Sequence, residues 1–365
     1  MKTPRSVLYS ACIVGLLFSF ACSQPKPEEK PAEKKEEKKA EVAFPVVGSV
    51  VRVDPGLDAL VPVGAKIEKI ESGRNFTEGP IYMREGFLLH SDVPENTIFK
   101  WTPDGTASVF RKPSGFDGTG APAGAFIGSN GITMDKEGRL VICEHGNRRV
   151  TRLEKDGTLT VLASEYKGKK LNSPNDAVYK SDGALYFTDP PYGFPTEDKD
   201  PRKELPFNGI YRLKDGKLDL LAKELKRPNG IGFSPDEKYL YVSNSDPERK
   251  IWMRFDVKAD GTLGTGKVFY DVTKQTADGL PDGLKLDKRG NLYGSGPGGI
   301  WVLSPEGKLL GNINPPETPA NCAWGKYSLG ADSGKMTAEE EAKTLYITAR
   351  TGVYRIQLSV AGIRP

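Results

Sequence analysis

The chain has 365 residues, with 52 Lys and Arg against 48 Asp and Glu and a formal net charge of +4. A charge so nearly balanced over this length argues against a nucleic-acid partner. Two histidines and four cysteines, with no Cys-x-x-Cys pair, also argue against a Cys/His zinc site.

The first element is a predicted export signal. Two basic residues precede an apolar run from Val7 to Ala21, which is short for a membrane span and suited to a signal sequence. The small residue before Cys22 resembles a bacterial lipoprotein cleavage site, so we expect residues 1–21 to be removed and Cys22 to be lipidated. The protein would then lie in the bacterial cell envelope, periplasmic or at the surface, with the lipid as its membrane contact. Ser19 stands where such sites usually have Leu, so plain secretion stays open.

Residues 22–45 are predicted to be a disordered tether. From Gln24 to Glu41 the chain is almost wholly Pro, Glu, Lys and Ala, which offer too little apolar surface to offset the entropy of ordering. Lys and Glu nearly cancel, as expected of a solvated spacer. The globular domain is predicted to span residues 46–365.

A short unit recurs five times in that domain. In each copy an acidic or amide residue opens an apolar strand, and a turn glycine, or Glu237 in one copy, stands eight residues later. The copies begin at Glu78, Asn130, Asn175, Asn229 and Asp282. Three further strand patterns follow most copies, with hairpin signals such as Asp156-Gly between them. Four antiparallel strands per repeat, with no amphipathic helix, predict an all-β fold, a β-propeller.

A sixth, eroded copy completes the predicted ring. It begins at Asn321, resumes at Thr344–Ala349 after an insertion from Lys326 to Lys343, and lacks a fourth strand before the chain ends. Conversely, Lys66–Ile70 is an orphan strand before the first copy. We therefore predict a six-bladed propeller whose N-terminal strand closes the last blade.

The repeated polar residues predict a metal site. In a propeller the innermost strands line a central channel, so Glu78, Asn175, Asn229 and Asp282 should converge at its mouth, with Asn130 close by. Carboxylate and amide oxygens suit Ca²⁺, or Mg²⁺ or Mn²⁺, and a cation would offset the repulsion between the carboxylates. The alternative is that these residues only make turns, as Asn-Gly and Asp-Gly often do, and it is strongest for Asn130.

The remaining nucleophile and thiol patterns are weak. His90 and His145 are the only histidines, and without a G-x-S-x-G motif a Ser-His-Asp mechanism has little to build on. Cys143 lies in an apolar strand and is expected to be a buried small hydrophobe. A disulfide between Cys143 and Cys322 stays open.

Motifs across residues 70 to 356 resemble, in the same order, the gluconolactonase, regucalcin (senescence marker protein) and luciferin-regenerating-enzyme family of six-bladed propellers. The motifs are Glu78-Gly-Pro, Ser173-Pro-Asn-Asp176, Tyr186-Phe-Thr-Asp-Pro-Pro-Tyr-Gly193, Arg227-Pro-Asn-Gly-Ile-Gly-Phe-Ser-Pro-Asp236 and Leu280-Pro-Asp-Gly283. The Asp189-Pro-Pro-Tyr-Gly193 segment and the residues around His145 resemble the bacterial members in particular.

The resemblance implies a site and an activity. A divalent cation, usually calcium, would be held by Glu78, Asn229 and Asp282, with Asn175 contacting metal or substrate and Asp282 acting as general base. Substrate contacts would come from Asn130, Asn175, His145 and Tyr192. Other candidate ions are Mg²⁺, Mn²⁺ and Zn²⁺.

The expected function is hydrolysis of a sugar lactone or a related small-molecule lactone by a monomeric enzyme, with the metal as Lewis acid. Ser173 stands where the animal protein has an Arg that contacts sugar, which puts the particular lactone in doubt. The alternative is a non-catalytic lipoprotein that binds calcium, a ligand or a partner, since a propeller fold does not by itself imply catalysis.

Overall fold

Strands joined by tight turns form almost the whole of the described chain. The structure is a computed structural model that describes residues 43–121, 124–326 and 342–363. The predicted signal, the Cys22 lipidation site, nearly all of the predicted tether and most of the predicted insertion lie outside these ranges. Among the described residues, no helix is long and apolar enough to cross a membrane.

The strands follow one another in chain order around a ring. The entry segment contains β1 (Val46–Val47), β2 (Ser49–Arg52), a 3-10 helix (Pro55–Ala59) and β3 (Ile67–Glu71). Blade 1 contains β4 (Thr77–Tyr82), β5 (Leu88–Asp92), β6 (Thr97–Trp101) and β7 (Ala107–Arg111). Blade 2 contains β8 (Ser129–Met134), β9 (Leu140–Glu144), β10 (Arg149–Leu153) and β11 (Leu159–Ala163). A two-stranded hairpin, β12 (Glu165–Tyr166) and β13 (Lys169–Lys170), leads to the next blade.

The second half of the ring repeats the pattern. Blade 3 contains β14 (Ala177–Tyr179), β15 (Leu185–Asp189), a 3-10 helix (Glu197–Lys199), β16 (Gly209–Lys214) and β17 (Lys217–Ala222). Blade 4 contains β18 (Pro228–Phe233), β19 (Tyr239–Asp246), β20 (Arg249–Asp256) and β21 (Lys267–Asp271). Blade 5 contains β22 (Leu284–Leu286), β23 (Leu292–Gly296), β24 (Gly299–Leu303) and β25 (Leu309–Asn314). Blade 6 contains β26 (Pro319–Gly325), β27 (Thr344–Ala349) and β28 (Gly352–Gln357).

The N-terminal segment closes the ring as predicted. β3 pairs antiparallel with β28, from Ile67 opposite Ile356 to Glu71 opposite Val353, and supplies the fourth strand of blade 6. The innermost strands contact their neighbours all the way round, including β26 against β4. The six-bladed, all-β prediction is confirmed.

The entry segment also adds strands that the four-strand repeat did not predict. β1 pairs with the outer side of β3, and β2 pairs with β25 on the outer side of blade 5. Blades 5 and 6 therefore have five strands, and blades 1 to 4 have the predicted four.

The core is divided into six apolar clusters, each between two neighbouring blades. Ile81 of blade 1 packs with Ile132 of blade 2, for example, and Ile70 of blade 6 packs with Trp101 of blade 1. Each blade thus covers the faces of its neighbours, which is why most strand residues are buried. Burying one large apolar side chain contributes roughly 1.5–3 kcal/mol, so the ring is stabilised chiefly by these interfaces.

The two cysteines of the globular domain do not pair. Cys143 and Cys322 are both buried free thiols, and they lie in different clusters. The expectation that Cys143 is a buried small hydrophobe is confirmed, and the disulfide that the sequence left open is not formed.

Candidate functional site

The five repeated polar residues occupy equivalent positions at one mouth of the central channel. Each of them, which we call the head of its blade, stands four residues before the last inner-strand residue that pairs with the second strand. Glu78, for example, stands four residues before Tyr82, which pairs with Leu88. Four of the five side chains are no more than 5% exposed, and Asp282 is half-buried. Asn130 lies inside β8 rather than in a turn, so the turn interpretation does not describe it.

The sixth copy is shifted by one residue from the prediction. Pro319 pairs with Ala349 and Cys322 with Ile347, in the register that Ser129 and Ile132 have around the head Asn130. Gly283 N donates to Ala320 O, as Gly131 N donates to the carbonyl oxygen of the head Asn175, so Ala320 holds the head position of blade 6. The prediction that this copy begins at Asn321 is therefore wrong. The error arose because the other copies were aligned on a polar head, and blade 6 has none.

Close backbone contact holds the heads together. A Cβ on Gly79 would lie 2.0 Å from the carbonyl oxygen of Asn130, and a Cβ on Gly230 would lie 2.4 Å from that of Asp282. Any larger residue at these positions would push neighbouring blades apart. The glycine after the head is thus needed for convergence, in addition to its common role in turns.

Hydroxyl groups from the second strands strengthen this ring of contacts. Ser91 Oγ donates to the carbonyl oxygen of Asn130 at 2.8 Å, and Thr188 Oγ1 donates to that of Asn229 at 2.7 Å. Each bond runs from one blade to the head of the next. Sequence reasoning missed these residues, although a Ser or Thr near the end of the second strand recurs in most copies.

Three amide oxygens at the mouth lack hydrogen-bond donors. The Oδ1 atoms of Asn130, Asn175 and Asn229 are buried and find no partner in the described part of the chain. Leaving a buried acceptor unsatisfied costs about 1–3 kcal/mol, so three in one place indicate that something else binds there.

The surroundings of Glu78 and Asp282, the two carboxylates among the heads, disfavour their charged forms. Burial raises the pKa of Glu78 to about 7, and the nearby charge of Asp176 adds to the shift. Burial also raises the pKa of Asp282 well above its usual range, with further contributions from Glu78 and Asp176. The Asn229 amide partly offsets the shift at Asp282 by hydrogen bonding. Because Asp176 adds to the rise in the pKa of Glu78, and both add to the rise in the pKa of Asp282, these carboxylates lie close enough for their charges to repel.

A polar cluster lies among the heads, and sequence reasoning assigned no role to its members. Asp176 follows the head Asn175, and its Oδ2 accepts from Lys285 Nζ at 3.2 Å. Asn321 Nδ2 lies 3.5 Å from the same oxygen and 3.0 Å from Glu78 Oε2. Asp176 was visible in the Ser173-Pro-Asn-Asp176 motif, but only the ring places it opposite blade 6.

The remaining predicted residues, His145 and Tyr192, belong to segments beside the heads: His145 N donates to Gly128 O at 3.1 Å, two residues before Asn130, and the charge of Asp282 acts on Tyr192. His145 is buried, and its Nδ1 donates to the carbonyl oxygen of Phe126 at 3.3 Å. Its Nε2 therefore carries a lone pair, and that atom has no partner among the described residues. Burial lowers the pKa of His145 to about 4, so the ring is neutral near pH 7.

Tyr192 is positioned by the segment that carries it. Its phenol hydrogen bonds with Ser245, and the pKa of Tyr192 is raised by burial and then by the nearby charge of Asp282. Ser245 Oγ in turn accepts from Asn229 Nδ2 at 3.0 Å. Ser173 Oγ donates to Pro190 O at 2.6 Å and accepts from Gly193 N at 2.9 Å. Ser173 thus holds the two residues that flank the Pro191-Tyr192 pair.

The channel becomes apolar beyond the polar cluster. A cavity of about 90 Å³ is lined by Ile81, Ile132, Val178, Ile231 and Trp324, among others. A second cavity of about 470 Å³ lies between Leu205–Asn208 and Lys223–Lys226, and none of the five heads lines it. The candidate site is therefore the channel mouth, where three amide oxygens that are unpartnered among the described residues lie among the heads that include Glu78 and Asp282.

The donor set fits a divalent cation. Three carboxylates, Glu78, Asp176 and Asp282, face one ammonium, Lys285, so a doubly charged ion would balance the cluster. In the described ranges, no group of three or more His, Cys, Asp and Glu side chains is arranged as a metal site. Amide oxygens supply the missing ligands here, and an all-oxygen set of this kind is typical of Ca²⁺.

Comparison with known proteins gives consistent matches. Residues 76–351 match the SMP-30/Gluconolactonase/LRE-like region. A gluconolactonase from Zymomonas mobilis is 39% identical over 328 residues, which cover 87% of this chain and 88% of that protein. A gluconolactonase structure from Xanthomonas campestris has a TM-score of 0.71 at 32% identity and covers 87% of this chain and 98% of its own.

A more distant structure shares the fold. It is that of regucalcin, a calcium-binding protein from Agrobacterium tumefaciens, with a TM-score of 0.62 at 19% identity. The match covers 88% of this chain and 97% of the other.

Proposed function

The chain belongs to the SMP-30/Gluconolactonase/LRE-like family, and on that premise we propose that it is a divalent-metal-dependent lactonase acting on a sugar lactone. The gluconolactonases from Zymomonas mobilis and Xanthomonas campestris support lactone hydrolysis. The observation that carries the metal requirement is the set of unpartnered Asn oxygens beside Glu78 and Asp282.

The proposed ligands are Glu78, Asn175, Asn229 and Asp282. The hard oxygen set favours Ca²⁺, as does the calcium-binding regucalcin that shares the fold, with Mg²⁺, Mn²⁺ and Zn²⁺ as further candidates. When bound, the cation supplies Lewis-acid polarisation of the lactone carbonyl. It would also favour the charged forms of Glu78 and Asp282, whose pKa values are otherwise raised.

Asp282 is the proposed general base. Its carboxylate would take a proton from the attacking water as the water oxygen bonds to the carbonyl carbon. The ring C–O bond then breaks, and the ring oxygen leaves as a hydroxyl that takes the proton held by Asp282, which opens the lactone to a hydroxy acid and restores the carboxylate. Hydrogen bonding from Asn229 helps to orient the Asp282 carboxylate.

Asn130, His145 and Tyr192 are proposed to bind the substrate. Asn130 Oδ1 and His145 Nε2 are buried acceptors without partners in the described part of the chain, so each can accept from a sugar hydroxyl. The Tyr192 phenol hydrogen bonds with Ser245, whose own hydroxyl hydrogen goes to Pro281 O, so the phenol oxygen can accept from a substrate hydroxyl. These groups favour a hydroxylated lactone over an apolar one, because an apolar ligand would leave the acceptors unpaired.

The test is lactone hydrolysis by the full chain with controlled metal. Acid release from glucono-δ-lactone and from unsubstituted lactones is followed by pH indicator, first with EDTA and then with Ca²⁺, Mg²⁺, Mn²⁺ or Zn²⁺ restored. We expect turnover to vanish with EDTA, to return with one or more cations, and to be lost in Glu78→Gln. Turnover that persists in EDTA would contradict the metal requirement.

A non-catalytic binding protein is the other outcome of the same experiment. Tight cation binding without turnover on any lactone would support it. Envelope localisation and lipidation stay predictions from residues 1–22, and they are tested by palmitate labelling of cells that express the wild-type chain or Cys22→Ala.

A further inference from the structure

Blade 6 contributes no ligand oxygen from its head, yet it lies between the two blades that carry the carboxylate heads. Glu78 belongs to blade 1 and Asp282 stands two residues before the inner strand of blade 5, while blade 6 presents Ala320 at the equivalent position. The next residue, Asn321, occupies the position that is glycine in blades 1, 2, 4 and 5. A side chain therefore enters the centre of the ring where four other blades have none.

Both the oxygen and the nitrogen of the Asn321 amide make hydrogen bonds. Its Oδ1 accepts from Cys322 N at 2.8 Å, which sets the orientation of the amide. Its Nδ2 then donates to Glu78 Oε2 at 3.0 Å and lies 3.5 Å from Asp176 Oδ2. One buried amide thus joins two carboxylates that would otherwise repel.

This arrangement determines which oxygen of Glu78 is available. Oε2 accepts from Gly79 N at 2.6 Å and from Asn321 Nδ2, whereas no hydrogen bond in the described ranges reaches Oε1. Glu78 is therefore prepared to offer a single oxygen to a cation.

The third carboxylate, Asp176, has both oxygens engaged in hydrogen bonds and is not among the proposed ligands. Asp176 Oδ1 accepts from Ala177 N at 2.9 Å, and Oδ2 accepts from Lys285 Nζ as well as facing Asn321. With both oxygens occupied, Asp176 acts as a charged support for Lys285 and Asn321. Glu78 and Asp282 remain as the carboxylate ligands.

Asn321 also rests on the strand of the other carboxylate. A Cβ on Gly283 would lie 2.0 Å from Asn321 Cγ, so the amide packs directly against the residue that follows Asp282. The same side chain is thus hydrogen bonded to Glu78 and in contact with the backbone beside Asp282.

We infer that Asn321 is a positioning residue that orients Glu78 for single-oxygen binding and sets its separation from Asp282, and through this the affinity and size preference for the cation. The inference rests on the proposed metal site. It assigns blade 6 a function although its head residue has no ligand atom.

The test measures cation binding rather than turnover. Calorimetric titrations with Ca²⁺ and Mg²⁺ compare the full wild-type chain with Asn321→Ala and Asn321→Leu, the latter keeping the branched shape of the side chain without its hydrogen bonds. Residues that orient metal ligands typically change affinity by about 10–100-fold, so we expect that weakening for Ca²⁺ and a reduced preference between the two ions.

The matched control is Asn291→Ala. Asn291 is also buried and its Nδ2 donates to a buried carboxylate, Asp287 Oδ2, at 2.7 Å, but it lies at the turn end of blade 5. It should lose thermal stability and keep wild-type cation affinity. Thermal melting in EDTA establishes which variants are folded.

The outcomes separate the two proposals. If the wild-type chain binds no divalent cation, the proposed function fails. If the wild type binds and either folded Asn321 variant binds equally tightly with the same ion preference, the inference is overturned. It is also overturned if both variants fail to fold, because Asn321 would then be needed for structure rather than for positioning.

Discussion

Equivalent residues at the channel mouth differ in what surrounds them. Asn130, Asn175 and Asn229 all leave Oδ1 unpartnered among the described residues, yet only Asn229 hydrogen bonds with Asp282. Asp176 is the residue after a head rather than a head, and both of its oxygens accept hydrogen bonds. Asp176 Oδ2 accepts from the Lys285 ammonium, whereas the hydrogen bonds to Asp282 in the described ranges come from the Asn229 amide and the Gly283 backbone. A carboxylate without an ammonium partner is the better proton acceptor, which favours Asp282 over Asp176 as the base.

Replacement of Asp282 tests the general base. Asp282→Asn keeps the shape and an oxygen ligand but cannot accept the proton, so we expect kcat to fall by about 10²–10⁴-fold. Steady-state kinetics at saturating Ca²⁺ and calorimetric Ca²⁺ binding on the same protein separate loss of the base from loss of the metal. Asp271→Asn, on the exposed outer strand of blade 4, is the control. Wild-type kcat in Asp282→Asn with metal bound would place the base elsewhere.

Replacement of His145 tests substrate recognition. Because burial lowers the pKa of His145 to about 4, this group stays neutral and should produce no limb in a pH–rate profile between pH 5 and 9. In His145→Phe we expect kcat/KM for a hydroxylated lactone to fall by about 10-fold or more relative to an unsubstituted one, since a buried hydrogen bond is lost. Equal loss on both lactones would show a structural role. His90→Phe, at the other buried histidine, controls for the loss of an imidazole.

At the scale of elements, the blades share the same antiparallel strands and differ in the segments that connect those strands. The segment between β15 and β16 carries Tyr192 to the mouth, and it is tied down by Ser173, which immediately precedes the Pro174-Asn175 pair. A Cβ on Gly193 would lie 2.8 Å from Ser173 Cβ, so glycine is needed at position 193 for the segment to pass this close to Ser173.

Loss of the Ser173 hydroxyl should loosen that connection. Ser173→Ala leaves Pro190 O and Gly193 N without a partner, at a cost of about 1–3 kcal/mol, and we expect KM to rise by roughly 10-fold with Ca²⁺ affinity unchanged. Lactone kinetics and calcium titration test the two parts separately. Ser234→Ala is matched, since Ser234 is buried and hydrogen bonded at the turn end of blade 4. Unchanged KM, or weakened Ca²⁺ binding, would contradict this role.

At the scale of the whole molecule, the proposed cation joins residues from four blades. Glu78, Asn175, Asn229 and Asp282 come from blades 1, 3, 4 and 5, which are far apart in sequence. A ligand that binds only the folded ring stabilises it by about 2.7 kcal/mol at 100 times its Kd. The pairing of β3 with β28 and the proposed cation would therefore stabilise the same ring, β3 at its outer edge and the cation near its axis.

The linkage between pH and stability tests this view. Without cation, the pKa of Glu78 in the folded state is about 7 against an ordinary 4.5. Between these values the folded protein retains a proton that the unfolded chain releases, so the contribution of Glu78 to the free energy of unfolding is lost as pH rises from about 4.5 to 7. Ca²⁺ should restore that stability at pH 7.5.

The measurement is thermal melting of wild type and Glu78→Gln at pH 5 and 7.5, with EDTA or Ca²⁺. The difference between the two proteins isolates Glu78 from other groups, including His145, whose lowered pKa acts in the opposite direction. In EDTA, wild type should lose stability relative to Glu78→Gln as the pH rises, and Ca²⁺ should stabilise wild type alone. A pH-independent difference would contradict the raised pKa.

Much of the architecture was determined by local sequence. Period-two alternation, turn glycines and the polar residue before each inner strand depend on neighbours a few residues apart. They therefore predicted the blades, the closing strand and the five polar heads at their observed positions, and four of these heads lie in the family motifs. The family motifs added the activity, because they include those same heads.

Only the tertiary structure decided which side chains meet across the axis. Asp176, Lys285 and Asn321 come from three blades, and no local pattern distinguishes them from ordinary strand residues. Blade 6 is an example. Its head is the apolar Ala320, so a prediction based on polar residues placed the start of this copy at Asn321, one residue too late, and only the strand register corrected it. Contacts between residues distant in sequence depend on ring closure and on the close approach of backbones, which a repeat pattern does not encode.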